Sequence, residues 1–336
     1  MPVLVVGPSW VGDMVMAQSL FRRLKQQDPD QAIDVVAPAW SLPVLARMPE
    51  VRTGVALDVA HGEFGFGKRR RLGHELRKNG YARAIVLPRS AKAALVPWHA
   101  NIPIRTGFRG ELRFGLINDV RPFDKAVLNQ TVKRFVALGL ATADAMPMTL
   151  PRPKLTIDPV AQAAALRRLN IDQAKPLVGL LPGAEYGPAK CWPLPHFASL
   201  ASLLAKQGFQ VGVFGGPKDH AGGEQIVAMS NGDAVNYCGE TALAEVIDVL
   251  AACEHVVTND SGLMHVAAAV DTSIVALYGS TSPDFTPPLT TRATIMNLAL
   301  DCSPCFKREC PLGHLNCLNG IVPTAVLSAL NVATKQ

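Results

Sequence analysis

The sequence predicts an α/β protein built from two doubly wound, Rossmann-like domains facing each other across a cleft. Three observations carry this. Short apolar runs alternate with helical periods from the first residues onward. A proline-rich stretch breaks the alternation once, after which it restarts. The length of 336 residues matches two domains of ordinary size. Strands that alternate with helices imply right-handed crossovers and parallel sheets.

Val3 to Gly7 reads as the first strand. Met14, Ala17, Phe21 and Leu24 then recur at three- and four-residue steps, the apolar stripe of a helix. Ile33 to Ala37 and Ala84 to Leu87 are further strands. The segment from Leu140 to Pro159 is rich in proline and weakly periodic, so the linker falls there. This divides the chain into domains 1–155 and 156–336. In the second, Leu177 to Leu181, Phe209 to Phe214, His255 to Thr258 and Ser273 to Tyr278 are strands. Phe197 to Lys206, Ala221 to Met229 and Gly262 to Val270 are helices.

Hydrophobic residues make up 49% of the chain and charged residues 18%, enough apolar material for two cores. No apolar run approaches a membrane span. The N-terminus lacks the features of a signal peptide, so the expected compartment is the cytoplasm, with its seven cysteines reduced or metal-bound. The formal charge of +6 fits an anionic substrate, membrane surface or nucleic acid. The basic tracts, Gly67 to Lys78, Arg89 with Lys92, and Arg105 to Arg113, all lie in the first third.

In an open parallel sheet, ligands bind beyond the carboxyl ends of the strands. Four loops there are rich in glycine and polar groups: 7–13, 182–193, 214–220 and 258–262. In the last, Asp260 or Ser261 is placed to cap a helix starting at Gly262, whose free N–H groups form an anion site. His265, one turn in, is either a buried helix histidine or a ligand contact. Lys190 reads as a point charge for a diphosphate or as a solvated surface lysine. Gly215 and Gly216 permit close backbone approach, with Lys218 and Asp219 beside them. Asp13 has two readings, a helix N-cap or a general base at the cleft edge. No P-loop, G-x-G-x-x-G fingerprint or paired-aspartate metal motif for a sugar diphosphate is found. Phosphates would therefore rely on lysine and the helix dipole.

The segments GPSWVGDMVMAQSL, APAW, RMPEV, RTGFRGELRFGLINDV, PGAEYGPAKCWP, TNDSGLMHVAAA and ALYGSTSPDFTPPL occur in this order from Pro2 to Leu289. Together they resemble the ADP-heptose:lipopolysaccharide heptosyltransferases of inverting glycosyltransferase family 9, which build the inner core in Gram-negative bacteria. The resemblance implies a GT-B fold, with the acceptor in the first domain and the nucleotide sugar in the second. It implies transfer of L-glycero-D-manno-heptose from ADP-heptose to the first heptose of a lipid A–Kdo–heptose acceptor, with no cofactor required. A relative with another donor or acceptor is the alternative reading. Asp13 matches the family's proposed base, and Lys190 would stabilise the leaving ADP.

Gly183, Glu185, Tyr186, Gly215, Gly216, Lys218, Thr241, Asp260, Ser261, Gly262 and His265 are then expected around the nucleotide sugar. Arg69, Arg70, Arg89, Lys92, Arg105, Arg109 and Arg113 are the candidates for the anionic acceptor. Its lipid implies peripheral contact with the cytoplasmic face of the inner membrane. A metal-dependent nucleic-acid-binding protein is the reading from another class, and an aromatic content of only 6% speaks against it. One feature stands apart. Cys302, Cys305, Cys310 and Cys317 have a spacing compatible with a structural zinc or iron–sulfur site, with a disulfide or free thiols as rivals.

Overall fold

The computed structural model describes residues 1–60, 62–141 and 144–331. It forms two units, Met1–Lys154 and Leu155–Gln336. Each holds a six-stranded, all-parallel sheet.

The first sheet has the order β3-β2-β1-β4-β5-β6. Its strands are β1 (Val3–Val6), β2 (Ile33–Pro38), β3 (Thr53–Leu57), β4 (Arg83–Val86), β5 (Ile104–Phe108) and β6 (Asp119–Arg121). Both β1 and β2 are buried along their whole length, as helices on both faces of a parallel sheet require. The Val11–Gln27 helix that follows β1 is buried on most sides, Gln18 included. That amide is fully used: it donates to Glu50 and to the Lys154 carbonyl at 2.9 and 2.8 Å, and accepts from the Lys154 N–H at 2.8 Å. In β2, Asp34 is buried and accepts from Arg52 and Tyr81.

The second sheet has the order β12-β11-β10-β7-β8-β9. Its strands are β7 (Leu177–Leu181), β8 (Gln210–Val213), β9 (Val235–Asn236), β10 (His255–Asn259), β11 (Ser273–Leu277) and β12 (Ala293–Met296). Trp192 anchors its core, fully buried, edge-on to Phe197 at 4.8 Å and donating from Nε1 to the Ile321 carbonyl at 2.8 Å.

In both sheets the strand order reverses beside the first strand of the unit, between β1 and β4 and between β7 and β10. These switch points are where loops diverge and leave a crevice at the carboxyl ends. The elements read from sequence are present with ends shifted by a few residues at most. The proline-rich stretch runs directly into a helix. Asp158 caps a helix at Pro159–Arg168, accepting from the Val160 and Ala161 N–H groups at 3.0 Å, with Pro159 at its first position.

Candidate functional site

Two groups of predicted residues fall at the two switch points. In the first unit, Asp13 follows β1, and Arg89 and Lys92 follow β4. In the second, Lys190 follows β7, and Asp260, Ser261 and Gly262 follow β10.

The N-cap reading of Asp13 is corrected. The helix starts at Val11 with Trp10 as its N-cap, so Asp13 is the third helical residue. There it lies in the positive end of the helix dipole, which favours the ionised carboxylate.

The second unit's group is tightly built. Lys190 Nζ donates to Asp260 Oδ2 at 2.6 Å and to the Asp260 carbonyl at 3.2 Å. The side chains are only 15% and 5% exposed, so this is a largely buried ion pair rather than the solvated lysine weighed above. Thr281 Oγ1 donates to the same Oδ2 at 2.7 Å. The Lys190 ammonium also sits 5.3 Å from the Tyr186 ring centre, and the Tyr186 hydroxyl donates to the Phe306 carbonyl at 2.9 Å. A Lys ammonium has three N–H donors, and Asp260 takes two, so one is left for a ligand.

The capping role expected for Asp260 or Ser261 is also corrected. Ser261 is the N-cap of the Gly262–Ala269 helix but makes no side-chain cap bond. Asp260 is turned instead to Lys190 and Thr281. A helix start without a side-chain cap keeps its first N–H groups available to an anion. His265 is buried on that helix, and burial pulls its pKa down to about 4, against the attraction of Asp260. It is neutral at physiological pH.

Asn259 ties the two loops of this switch point together. Its Nδ2 donates to the Pro182 carbonyl at 2.7 Å, and its Oδ1 accepts from the Trp192 N–H at 2.9 Å. Asp219 closes the loop after β8 on itself, accepting from the Gly216 N–H at 2.8 Å, and packs against Gly183 of the loop after β7. A Cβ at Gly183 or Gly215 would lie 2.5 or 2.6 Å from its carboxylate oxygens. These glycines make room for Asp219, and burial raises its carboxyl above the usual range. Gly187, at φ 153°, is needed too, since a Cβ there would lie 2.6 Å from the Arg308 carbonyl. Lys218 and Glu185 form an exposed pair at 3.5 Å. Thr241 is half-buried, just ahead of the Leu243–Ala252 helix.

The basic residues of the first unit divide in two. Arg69 and Arg113 are buried, and Arg105 is half-buried. Arg69 donates to the Phe64 carbonyl, Arg105 to those of Ile102, Gly115 and Leu116, and Arg113 to those of Pro88 and Phe108. These three brace loops, which sequence could not tell from ligand contacts. Arg70, Arg89 and Arg109 are exposed and Lys92 half-exposed. Arg89 reaches the Arg109 carbonyl at 2.9 Å and lies 4.9 Å over the Phe123 ring.

The metal expectation finds no support among the described residues. Among the described residues no group of three or more His, Cys, Asp or Glu side chains is arranged to hold a metal. Cys302, Cys305, Cys310 and Cys317 are unpaired thiols around a cavity of about 20 Å³ shared with His314. Backbone N–H groups from Leu312 to Leu315, led by Leu315, hold the Cys310 thiol below its ordinary pKa. Cys317 is instead buried on a short helix, and burial raises it.

Sequence reasoning passed over Asn259, Thr281 and the bracing role of Asp219. Thr281 follows β11, so the carboxyl-end rule would have found it.

The model of glycosyltransferase family 9 (heptosyltransferase) matches residues 69–316. The chain belongs to glycosyltransferase family 9. Among similar family members, Lipopolysaccharide heptosyltransferase 2 of Salmonella typhimurium is 46% identical over 340 residues, covering 98% of each chain. The protein of the same name from Escherichia coli K12 is 46% identical over 345 residues, covering 100% of this chain and 99% of its own. The solved structure of E. coli ADP-heptose lps heptosyltransferase II superposes with a TM-score of 0.88 at 44% identity, covering 99% of this chain and 98% of its own. This places the fold of this family 9 chain with that of a heptosyltransferase.

Proposed function

We propose that this family 9 glycosyltransferase moves L-glycero-D-manno-heptose from ADP-heptose to the first heptose of the lipopolysaccharide inner core, with inversion at the anomeric carbon. The observation that carries this is the 46% identity, over essentially the whole length of both chains, to Lipopolysaccharide heptosyltransferase 2 of two organisms. The second unit takes the donor and the first the acceptor.

The reaction is a single displacement. The acceptor hydroxyl loses its proton to Asp13 as its oxygen bonds to the anomeric carbon, and the bond to the ADP oxygen breaks. The third N–H of Lys190 and the start of the Gly262–Ala269 helix stabilise the negative charge that the diphosphate gains. Asp260 and Thr281 fix Lys190 in place, so the cation is oriented before the charge develops. His265, neutral and buried on that helix, adds no charge to it. Arg89, Lys92 and Arg109 receive the anionic groups of the acceptor, while Arg69, Arg105 and Arg113 hold the loops that present them. The acceptor's lipid brings the protein to the cytoplasmic face of the inner membrane. Among the described residues no helix is long and apolar enough to cross it.

The test is a transfer assay with ADP-heptose and purified heptosyl-Kdo-lipid A. Gain of one heptose by the acceptor and release of ADP are expected. Transfer from another nucleotide sugar at a higher rate, in a donor panel on the same acceptor, would overturn the choice of donor.

A further inference from the structure

The Phe66–Leu76 and Leu95–His99 helices pack closely because Gly73 has no side chain. A Cβ there would lie 2.5 Å from His99 Cβ and 2.7 Å from the Val96 carbonyl. Beside this contact is an open groove of about 540 Å³. Its lining includes Arg70, His74, Arg77 and His99, the rings of Phe66 and Trp98, and no carboxylate.

The groove is built around a buried imidazole. His99 is 8% exposed, and its Nε2 is buried without a hydrogen-bond partner. A buried polar atom left in this way is unfavourable. His74 stacks on the His99 ring at 5.8 Å, and Trp98 meets it edge-on at 4.7 Å. Arg77 Nε is spent on the His99 carbonyl at 2.8 Å. Arg70 is exposed and makes no hydrogen bond or ion pair among the described residues. Burial, then the charges of His74, Arg70 and Arg77, keep His99 below its ordinary pKa. The site therefore concentrates positive charge and N–H donors without an internal anion to match them.

One end of the groove points away from the residues expected at the transfer site, while Phe66 at its other end follows a loop whose Gly62 and Glu63 carbonyls accept from Lys92. The Phe66–Leu76 helix runs from the carboxyl end of β3 towards the amino end of β4. Arg77 and Arg105, the latter at the start of β5, thus mark the amino-end side of the sheet. Asp13, Arg89 and Lys92 follow the carboxyl ends. The rim is also aromatic: Phe66 and Trp98 are 48% and 45% exposed, and Phe64, stacked on Phe66 at 6.5 Å, is 57% exposed. Rings left half in water beside basic groups suit the boundary between lipid headgroups and acyl chains, where aromatic residues settle and basic residues meet anionic lipid. A free phosphate would use the basic groups and leave the rings without a function.

We infer that this groove docks the phosphate-bearing headgroup of an anionic lipid in a bilayer, with the rings of Phe64, Phe66 and Trp98 entering the headgroup layer. The inference goes beyond heptose transfer and stands without it.

The experiment is flotation of the full chain with vesicles of equal parts phosphatidylglycerol and phosphatidylcholine, and with phosphatidylcholine alone, at low salt. The chain is expected to float with the anionic vesicles only. Arg70→Glu should weaken that binding by roughly tenfold, since a basic contact is replaced by a like charge. Trp98→Ala should weaken it several-fold, which a purely electrostatic attraction would not show. Lys206→Glu, the same charge change at an exposed site in the other unit, should leave it intact. Thermal melting of each variant checks that the fold is retained. Equal binding by Arg70→Glu and Lys206→Glu overturns the inference, as does equal flotation on neutral vesicles. Full release by millimolar inorganic phosphate at constant ionic strength would assign the groove to a free phosphate instead. Tighter binding of a single-stranded RNA than of the vesicles would assign it to nucleic acid.

Discussion

The two switch points handle positive charge in opposite ways. In the second unit, Lys190 is largely buried and held by a carboxylate, a carbonyl and an aromatic face. In the first, Arg89, Lys92 and Arg109 form no ion pair among the described residues and lie at or near the surface. The difference matches the groups each must meet. A leaving diphosphate gains charge at one fixed place, and a cation oriented in advance stabilises it without reorganising. An acceptor bearing several anionic groups is met by wet cations, which adjust at little cost but are screened by salt.

Removing the buried cation should have the largest effect. Lys190→Ala leaves Asp260 buried with Thr281 as its main remaining donor, and breaking such a pair costs about 3–5 kcal/mol. Urea unfolding should show that loss, with turnover falling as well; a variant as stable as the parent would end the claim of a structural pair. Asp13→Asn sharpens the comparison from the other side. It keeps the shape but cannot take a proton, so turnover should fall by about 10²–10⁴-fold, with ADP affinity unchanged by calorimetry. Retention of most activity would reduce Asp13 to a helix-dipole contact.

His265 tests how dry the second site is. Its pKa in the folded chain is about 4, against an ordinary 6.5. A depressed value means that the unfolded chain binds the proton more readily. The stability gained from a neutral His265 is thus complete above pH 6.5 and is lost as pH falls towards 4. The swing is about 3 kcal/mol at most. His265→Leu should flatten that part of the stability profile, read by thermal melting across the range. Gly183→Ala should cost about 1–3 kcal/mol, because the new methyl meets the Asp219 carboxylate. The smallest effect belongs to the wet side. Arg109→Ala should raise the acceptor KM a few-fold, by about 1 kcal/mol or less, and the difference should shrink at high salt while kcat stays level.

Much of this was legible in the chain. The strands β1 and β7 are continuous apolar runs and β2, β10 and β11 are built around shorter ones, as a sheet covered on both faces needs. β3 was not legible, because Thr53–Leu57 is largely exposed and TGVAL carries no strong pattern. β9 has two residues, too few for any period. Asp13, Lys190 and Asp260 were visible as polar residues beyond strand ends. Their arrangement was not: Lys190 and Asp260 are 70 residues apart, and only the pairing of β7 with β10 brings their loops together. The arginines show the same limit. Arg109 and Arg113 share one short basic segment, yet one is exposed and the other buried beneath its own loop.

The sequence by itself determined the two parallel sheets, the family and the loops that hold its chemistry, because hydrophobic period and glycine placement act over a few neighbouring residues. The tertiary structure decided which charges are paired and which are wet. Burial and pairing sum over residues distant in the chain, so the same side chain is a brace in one surrounding and a binding group in another.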